Sequence, residues 1–471
     1  MAIIASTLAR IKSDPLSGIG GKQLVNEHFA QAGHVWRERL LDPATTLTLF
    51  IVQVLHGNTA ITHLRHLSHI TVAAASYCTA RARLPLEALA QLVENASCNA
   101  MQSLRSREES KSSRGPSSWL GRRVILCDGT TVTTPDTAAL QRRWPQNAMQ
   151  KPGCGFPMIK LLGALDLASG MILHLAMMSL NCHEMSQLLG LHAALQAGDV
   201  LLADRAFCSF VHLALLSVFP MDAVFRMHQK MIVDFTPGRR HAPRRGRKSR
   251  RGKPKSKFVR KLGFEDQIVE WIRPRTAPQW IDASIFAALA PTLLVRELRY
   301  RIIVRGRRTR VVTLATTLLD PTRYPKRRIA ELYGLRWEVE TDFRHLKITL
   351  GMDRLKCKSE QGVLKELMIF VLIYNLVRAA MTLAAMRQGV NDANRISLID
   401  ALRWLRGRAH HDSAAGARVL PGEAAVDLIV NRLRVGRWCP RVIKRRKKEY
   451  DLMTKPRREY AEPPMEAGIA D

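Results

Sequence analysis

The chain has 471 residues, 46% of them hydrophobic, and carries 73 Lys and Arg against 40 Asp and Glu, a formal net charge of +33 with a pI near 10.6. That length is too great for one ordinary core, and the apolar content excludes long disorder as the default, so two to four structural units are expected. The charge excess costs self-repulsion without helping folding, and its usual reason is a polyanionic partner, with nucleic acid ahead of an anionic membrane surface.

The N-terminus, "MAIIASTLARIKSD", is too short in apolar length for a signal peptide. Residues 1 to about 102 read as helical; "LPLEALAQLVENA" (84–96) sets Leu86, Leu89 and Val93 on one face, with Pro85 suited to a first turn. "SLRSREESKSSRGPSS" (103–118) reads as a linker. "RRVILCDGT" (122–130) is a strand emptying into a loop at Asp128, and "MIKLLGALDLASGMILHLAMMSL" (158–180) is a hairpin. "CHEMSQLLGLHAALQAG" (182–198) is helical, and "DVLLADRAF" (199–207) is a second strand ending at an acid, Asp204. This is a mixed α/β layer, in which ligand sites lie beyond the carboxyl ends of the strands.

Residues 219 to about 321 read as an insertion. It contains "RRHAPRRGRKSRRGKPKSKFVRK" (239–261), where thirteen of 23 residues are Lys or Arg, a flexible arm suited to nucleic acid. Arg244, Arg245, Arg247 and Lys248 are its candidate backbone contacts. The runs "QIVEWIRP", "LLVRELRYRIIVR" and "TRVVTLATTLL" follow as strands. A helix then starts near Pro325 and runs through "YGLRWEVETDFRHLK" (333–347). The apolar stretch 366–385 holds Asn375 and Arg378 near its middle, which suits a buried core helix better than a membrane span. The eight cysteines are scattered without a CxxC pair, which argues against a zinc module and against a disulfide framework and fits a reducing cytoplasm. The expected division is a helical N-terminal domain and linker (1–118), the first part of the core (119–218), a basic β-rich insertion (219–321), the second part of the core with the acid-bearing helix (322–385), and a basic C-terminal region (386–471).

The helix at 333–347 offers three acids. At about 100° per residue, with Tyr333 at zero, Arg336, Glu340, Arg344 and Lys347 fall in one stripe about 80° wide with Tyr333. Leu332, Leu335, Val339, Phe343 and Leu346 form the core face beside it. Glu338 and Asp342 fall at about 140° and 180°, where solvent is expected. Glu340 is therefore the acid flanked by cations and a phenol. Periodicity leaves an ion-pair stripe and a reactive site equally open, and the two strand-end aspartates favour the site. Asp136 and Asp166 read as turn acids, the histidines of "HLRHLSH" (63–69) as a polar helix face, and "HHD" (410–412) as a loop; Thr130 and Arg205 are candidate supports of the aspartates.

The spacing of Tyr333, Arg336, Glu340 and Lys347 resembles the YREK signature of bacterial insertion-sequence transposases of the insertion sequence four family, DDE enzymes. "DGT" (128–130) and "ADRAF" (203–207) resemble that family's two aspartate motifs; "GCGFP" (153–157) and the tail "VIKRRKKEYDLMTKPRRE" are also similar. The resemblance spans about residues 23–459. It implies a ribonuclease H-like catalytic core, a mixed sheet flanked by helices, with a β-rich insertion and a helical N-terminal domain. It implies that Asp128, Asp204 and Glu340 are catalytic and hold two Mg²⁺ ions, with Mn²⁺ able to substitute and Asp128 bridging. Tyr333, Arg336 and Lys347, with Arg344 beside them, would bind DNA phosphates. Trp271 or Trp280 would stack on a flipped base, with core packing the competing use of each. The implied partners are double-stranded DNA, as terminal inverted repeats and as target, and a second copy of the chain in a paired-end dimer. No membrane is implied; the setting is a bacterial cytoplasm, associated with the nucleoid. The implied activity is cut-and-paste transposition. The alternatives are a catalytically silent, transposase-derived DNA-binding protein and a basic structural protein whose acids are ordinary ion pairs.

Overall fold

The computed structural model describes residues 2–68, 70–109, 119–241, 254–302, 310–407 and 427–431. Its centre is one mixed sheet, flanked by helices. The strands are β1 (Val124–Thr133), β2 (Met158–Asp166), β3 (Ile172–Ser179), β4 (Val200–Ala203), β5 (Asp222–Arg226), β6 (Lys257–Gly263), β7 (Asp266–Ile272), β8 (Thr292–Ile302) and β9 (Arg310–Thr316). They are ordered β3-β2-β1-β4-β5-β9-β8-β7-β6. β1, β2 and β3 form an antiparallel meander, while β4 runs parallel to β1 and β5 parallel to β4. β9 then pairs antiparallel with β5 and joins the antiparallel β6–β9 array to the sheet.

The sequence accounts for the centre. Val124–Cys127 and Val200–Ala203 are buried at every position, as central parallel strands covered on both faces must be. The last pair between β1 and β4 is Cys127 with Ala203. β1 runs on to Thr133 but β4 stops, so from Asp128 onward the β4-facing edge of β1 is open.

The helix Glu360–Gln388 is the one described helix long and apolar enough to cross a membrane by length and composition, and 89% of its apolar window is buried inside the protein. Its polar residues explain its place. Asn375 accepts from the Ile172 amide and donates to the Ile172 carbonyl, both at 2.8 Å, and donates to Ser97 at 2.7 Å. One side chain thus ties this helix to the edge of β3 and to the long N-terminal helix Leu86–Glu109.

Several expectations shift. The Leu86–Glu109 helix runs through the first part of the expected linker, and 110–118 lie outside the described residues. β5 falls inside the range read as insertion, yet it pairs with β4. The end of the basic segment is strand rather than arm, since Lys257–Gly263 is β6. Arg239, near the segment's start, donates to the Ser256 carbonyl at 2.7 Å and to its hydroxyl at 2.9 Å, so the two ends of the stretch are clasped. Arg244, Arg245, Arg247, Lys248 and "HHD" (410–412) lie outside the described residues. Helical structure in 182–198 is shorter than expected, a 3₁₀ turn Glu184–Gln187 followed by Leu188–His192.

Candidate active site

The helix expected from Pro325 is four helical pieces in succession: α Lys326–Gly334, 3₁₀ Leu335–Trp337, α Glu338–Arg344 and π His345–Thr349. Changes of helical pitch re-aim side chains, and π turns recur at functional sites. Phe343 packs into the space left by Gly163 on β2. That seats the helix on the sheet face where Asp128 and Thr130, two residues apart on β1, both point.

The expected stripe meets that face. Arg336 bridges two acids, Nη1 donating to Asp128 Oδ2 at 3.1 Å and Nη2 to Glu340 Oε1 at 2.9 Å. Lys347 Nζ donates to Thr130 Oγ1 at 3.3 Å. Asp204 follows Ala203, whose partner is Cys127, so Asp204 leaves the end of β4 beside Asp128, which is not the strand end expected but lies mid-strand, paired with Gly163 of β2. Asp204 is fixed by accepting from the Ala206 amide at 2.7 Å and has no ion pair among the described residues. Asp128 also accepts from the Gly129 amide at 2.8 Å. Burial pushes the Asp128 carboxyl up to about 6; the Gly129 amide and Arg336 oppose the rise, while the charges of Asp204 and Glu340 add to it. The structure therefore brings together Asp128, Asp204, Glu340, Arg336, Lys347 and Thr130.

The other expected residues sort differently. Tyr333 is buried, and burial raises its phenol, with Arg336 and Arg226 nearby. Arg344 is exposed and outside the Arg336 network. Trp271 is only 6% exposed, and its indole N–H donates to the buried Glu297 at 3.0 Å. A ring committed to the core of the β6–β9 array cannot stack on a base. Trp280 is half-buried against the same core. Trp337 was missed: it is 60% exposed and lies against Arg336, the guanidinium carbon 5.8 Å from the ring centroid. Its signal was its place inside the signature stretch. Arg226 was missed too; it is exposed at the end of β5, one strand from Asp204. Asp342 is not solvated: it is 3% exposed and faces the buried Arg378 at 3.5 Å. Glu338 is half-buried on that same side, its carboxyl raised by burial and by Asp342. Asp166 caps its own turn through Ser169, and the described histidines of 63–69 are exposed.

Among the described residues no three His, Cys, Asp or Glu side chains are already closed around a common point for an ion. The donor chemistry nevertheless fits a hard divalent cation. Asp128 and Glu340 share the positive charge of Arg336, and Asp204 follows the end of the strand beside Asp128.

A buried histidine pair holds the turn after Asp204. His212 Nδ1 donates to the Phe207 carbonyl at 2.9 Å, so its Nε2 accepts from His192 Nε2–H at 3.1 Å, and both rings are neutral. Burial pushes His192 down to about 4 and His212, beside it, down to about 3. Unfolded histidines titrate near pH 6.5, so the unfolded chain binds more protons below that pH. Stability present above pH 6.5 is lost as pH falls toward 4, by roughly 2 kcal/mol per histidine at pH 5. Urea midpoints at pH 7.5 and pH 5 should therefore differ less for His192→Phe than for the wild type; equal differences would contradict this role.

Residues 119–376, more than half of the chain, match the transposase DDE domain family, and the chain belongs to that family. It is similar to the transposase InsG for insertion sequence element IS4 of Escherichia coli (strain K12), with 25% identity over 268 residues. That match covers 56% of this chain and 53% of the relative, so the chain spans about half the length of the curated relative it matches.

Proposed function

We propose that this protein is a metal-dependent DNA endonuclease and strand transferase. It would bind the terminal inverted repeats of its element, cleave at the ends and join the 3′-OH ends to target DNA. The observation that carries this reading is the carboxylate set: Asp128 and Glu340 on one arginine, with Asp204 on the adjoining strand.

Asp128, Asp204 and Glu340 would hold two Mg²⁺ ions, for which Mn²⁺ could stand in. When bound, such ions offset charge on the phosphodiester and acidify the attacking water or 3′-OH. Arg336 is poised to exchange its carboxylate contacts for a phosphate, and its planar fork suits one. Lys347 offers a point charge beside Thr130, Arg226 another beside Asp204, and Trp337 an exposed ring for an unstacked base. Arg344 is a candidate for outer phosphates, and buried Tyr333 for packing under Arg336. The order β3-β2-β1-β4-β5, with the acid-bearing helix on one face, supports a ribonuclease H-like core. In this division the insertion begins after Arg226, and the N-terminal helices recognise DNA ends. Pairing of two ends by a dimer follows from the same reading.

Strand transfer is the direct test. A labelled duplex carrying a pre-cleaved element end is incubated with supercoiled plasmid and Mg²⁺. Label should enter relaxed plasmid. Efficient nicking of end-containing DNA without any joined product would reduce the reading to a nuclease.

The basic segment makes a separate, quantitative prediction. Each phosphate left without its cation should flatten the plot of log K against log salt by about 0.9. Replacing Arg244, Arg245, Arg247 and Lys248 by Ser should flatten it by about 2–4 units and leave the preference for element ends intact. Arg239 and Lys257 must be kept, since they hold Ser256 and Glu270. An unchanged slope would remove the segment from the DNA interface.

A further inference from the structure

We propose that Glu184 is a fourth acid of this centre, reaching it from the opposite face of the sheet through the gap left by Gly129. The inference rests on the reading of Asp128, Asp204 and Glu340 as metal-holding residues. Side chains alternate along β1, so Asp128 points to the Glu340 helix while Cys127 and Gly129 point the other way. Glu184 stands against Gly129: a Cβ built there would lie 2.7 Å from Oε1 and 3.0 Å from the carboxyl carbon of Glu184. Any residue but glycine at 129 would displace the carboxylate.

The approach is built in by the chain around it. Lys160 donates to the Cys182 carbonyl at 2.8 Å, and His183 caps the 3₁₀ turn by accepting from the Met185 amide at 3.2 Å. These contacts fix the residues on both sides of Glu184. Its own carboxylate, half-buried, has no hydrogen bond and no ion pair among the described residues. A half-buried acid held in place without a cation has its charge uncompensated by the protein. Because β4 stops at Ala203, the edge of β1 at Asp128 and Gly129 is open, and the two faces of the sheet meet there. A carboxylate below Gly129 and carboxylates above Asp128 therefore look into the same opening. Glu184 would add an oxygen donor, directly or through a bound water, to the cation-holding set.

The test measures metal binding apart from turnover. Mn²⁺ binding to the full chain is measured by calorimetry or electron paramagnetic resonance, alongside duplex binding and the Mn²⁺ concentration giving half-maximal nicking. Glu184→Gln should weaken Mn²⁺ binding about 10–100-fold, as loss of a supporting ligand does. It should move the nicking midpoint to higher Mn²⁺ by a similar factor and leave duplex binding unchanged. Gly129→Ala should reproduce the shift by displacing Glu184, and the double variant should be no worse than either single. Glu331→Gln, a surface residue paired with Arg327 and Arg328, should behave as wild type. If Asp128→Asn loses Mn²⁺ while Glu184→Gln binds it as wild type does, Glu184 is not part of the centre. If neither variant changes Mn²⁺ binding, the metal-holding reading of the three acids fails first.

Discussion

Glu340→Gln should bind an end-containing duplex as tightly as the wild type and nick it more slowly by a factor on the order of 10⁴. Glutamine keeps the shape of the side chain and its acceptor toward Arg336, but not the charge a cation needs. Asp128→Asn and Asp204→Asn should show the same loss, and double variants should be no worse than singles, because the three acids act as one unit. Asp128→Asn also relieves a half-buried carboxyl that burial pushes up to about 6, so this variant should fold at least as well as the wild type. Glu338→Gln should alter nicking only a few-fold, since its carboxylate faces Asp342 and Arg378 rather than Asp128. Binding gels run beside the nicking assay separate lost chemistry from lost fold. Full nicking by Glu340→Gln with normal duplex binding would mean that the stripe is an ion-pair ladder.

The largest stability effect should come from Arg378→Met. Arg378 is 1% exposed in the middle of the apolar Glu360–Gln388 helix. Its Nε donates to the Ser169 carbonyl at 2.6 Å, one nitrogen reaches Asn394, and another faces Asp342 at 3.5 Å. Gly170, at a φ of 68°, leaves the room: a Cβ there would sit 1.9 Å from the guanidinium. The arginine thus pins the β2–β3 turn and the Glu340 helix to one core helix. Removing it strands Asp342 as a buried, unpaired charge, at a cost of about 3–5 kcal/mol. Urea unfolding should show that loss, and Arg378→Met with Asp342→Leu should recover most of it. A single variant as stable as the wild type would show that Asp342 finds water without Arg378.

These two sites mark how far the sequence could be read. Asp204 was legible as the acid at the end of a buried apolar run; Asp128 was read the same way, but β1 runs on through it to Thr133, and it is the end of β4 that opens the sheet beside it. Glu340 was legible because Arg336, Glu340 and Lys347 share a stripe that survives the changes of helical pitch. Asp342 was not. At about 180° it borders the apolar face, where a lone carboxylate normally turns to water. Its partner, Arg378, lies on a different helix, and nothing local announces the pairing. Trp271 was open to two uses for a related reason, and core packing is the one found: a tryptophan in a strand reads alike whether its indole meets a base or a buried carboxylate, and Glu297 sits on another strand. The approach of Glu184 to Gly129 joins residues on different elements, and periodicity is silent about such meetings. The continuous sheet was only partly legible, because pairing of β5 with β9 bridges a long charged segment that local pattern reads as a break.

If Asp128, Asp204 and Glu340 cut DNA with a bound divalent cation, cleavage must follow the cation. Nicking of supercoiled plasmid carrying the element's terminal repeats, in Mg²⁺ and in EDTA, beside the same plasmid with scrambled repeats, measures this without intermediate steps. Nicking is expected at the repeats in Mg²⁺, none in EDTA, and restoration when Mg²⁺ is returned in excess. Nicking that persists undiminished in EDTA, or tight repeat binding with no cleavage in Mg²⁺ or Mn²⁺, would contradict it.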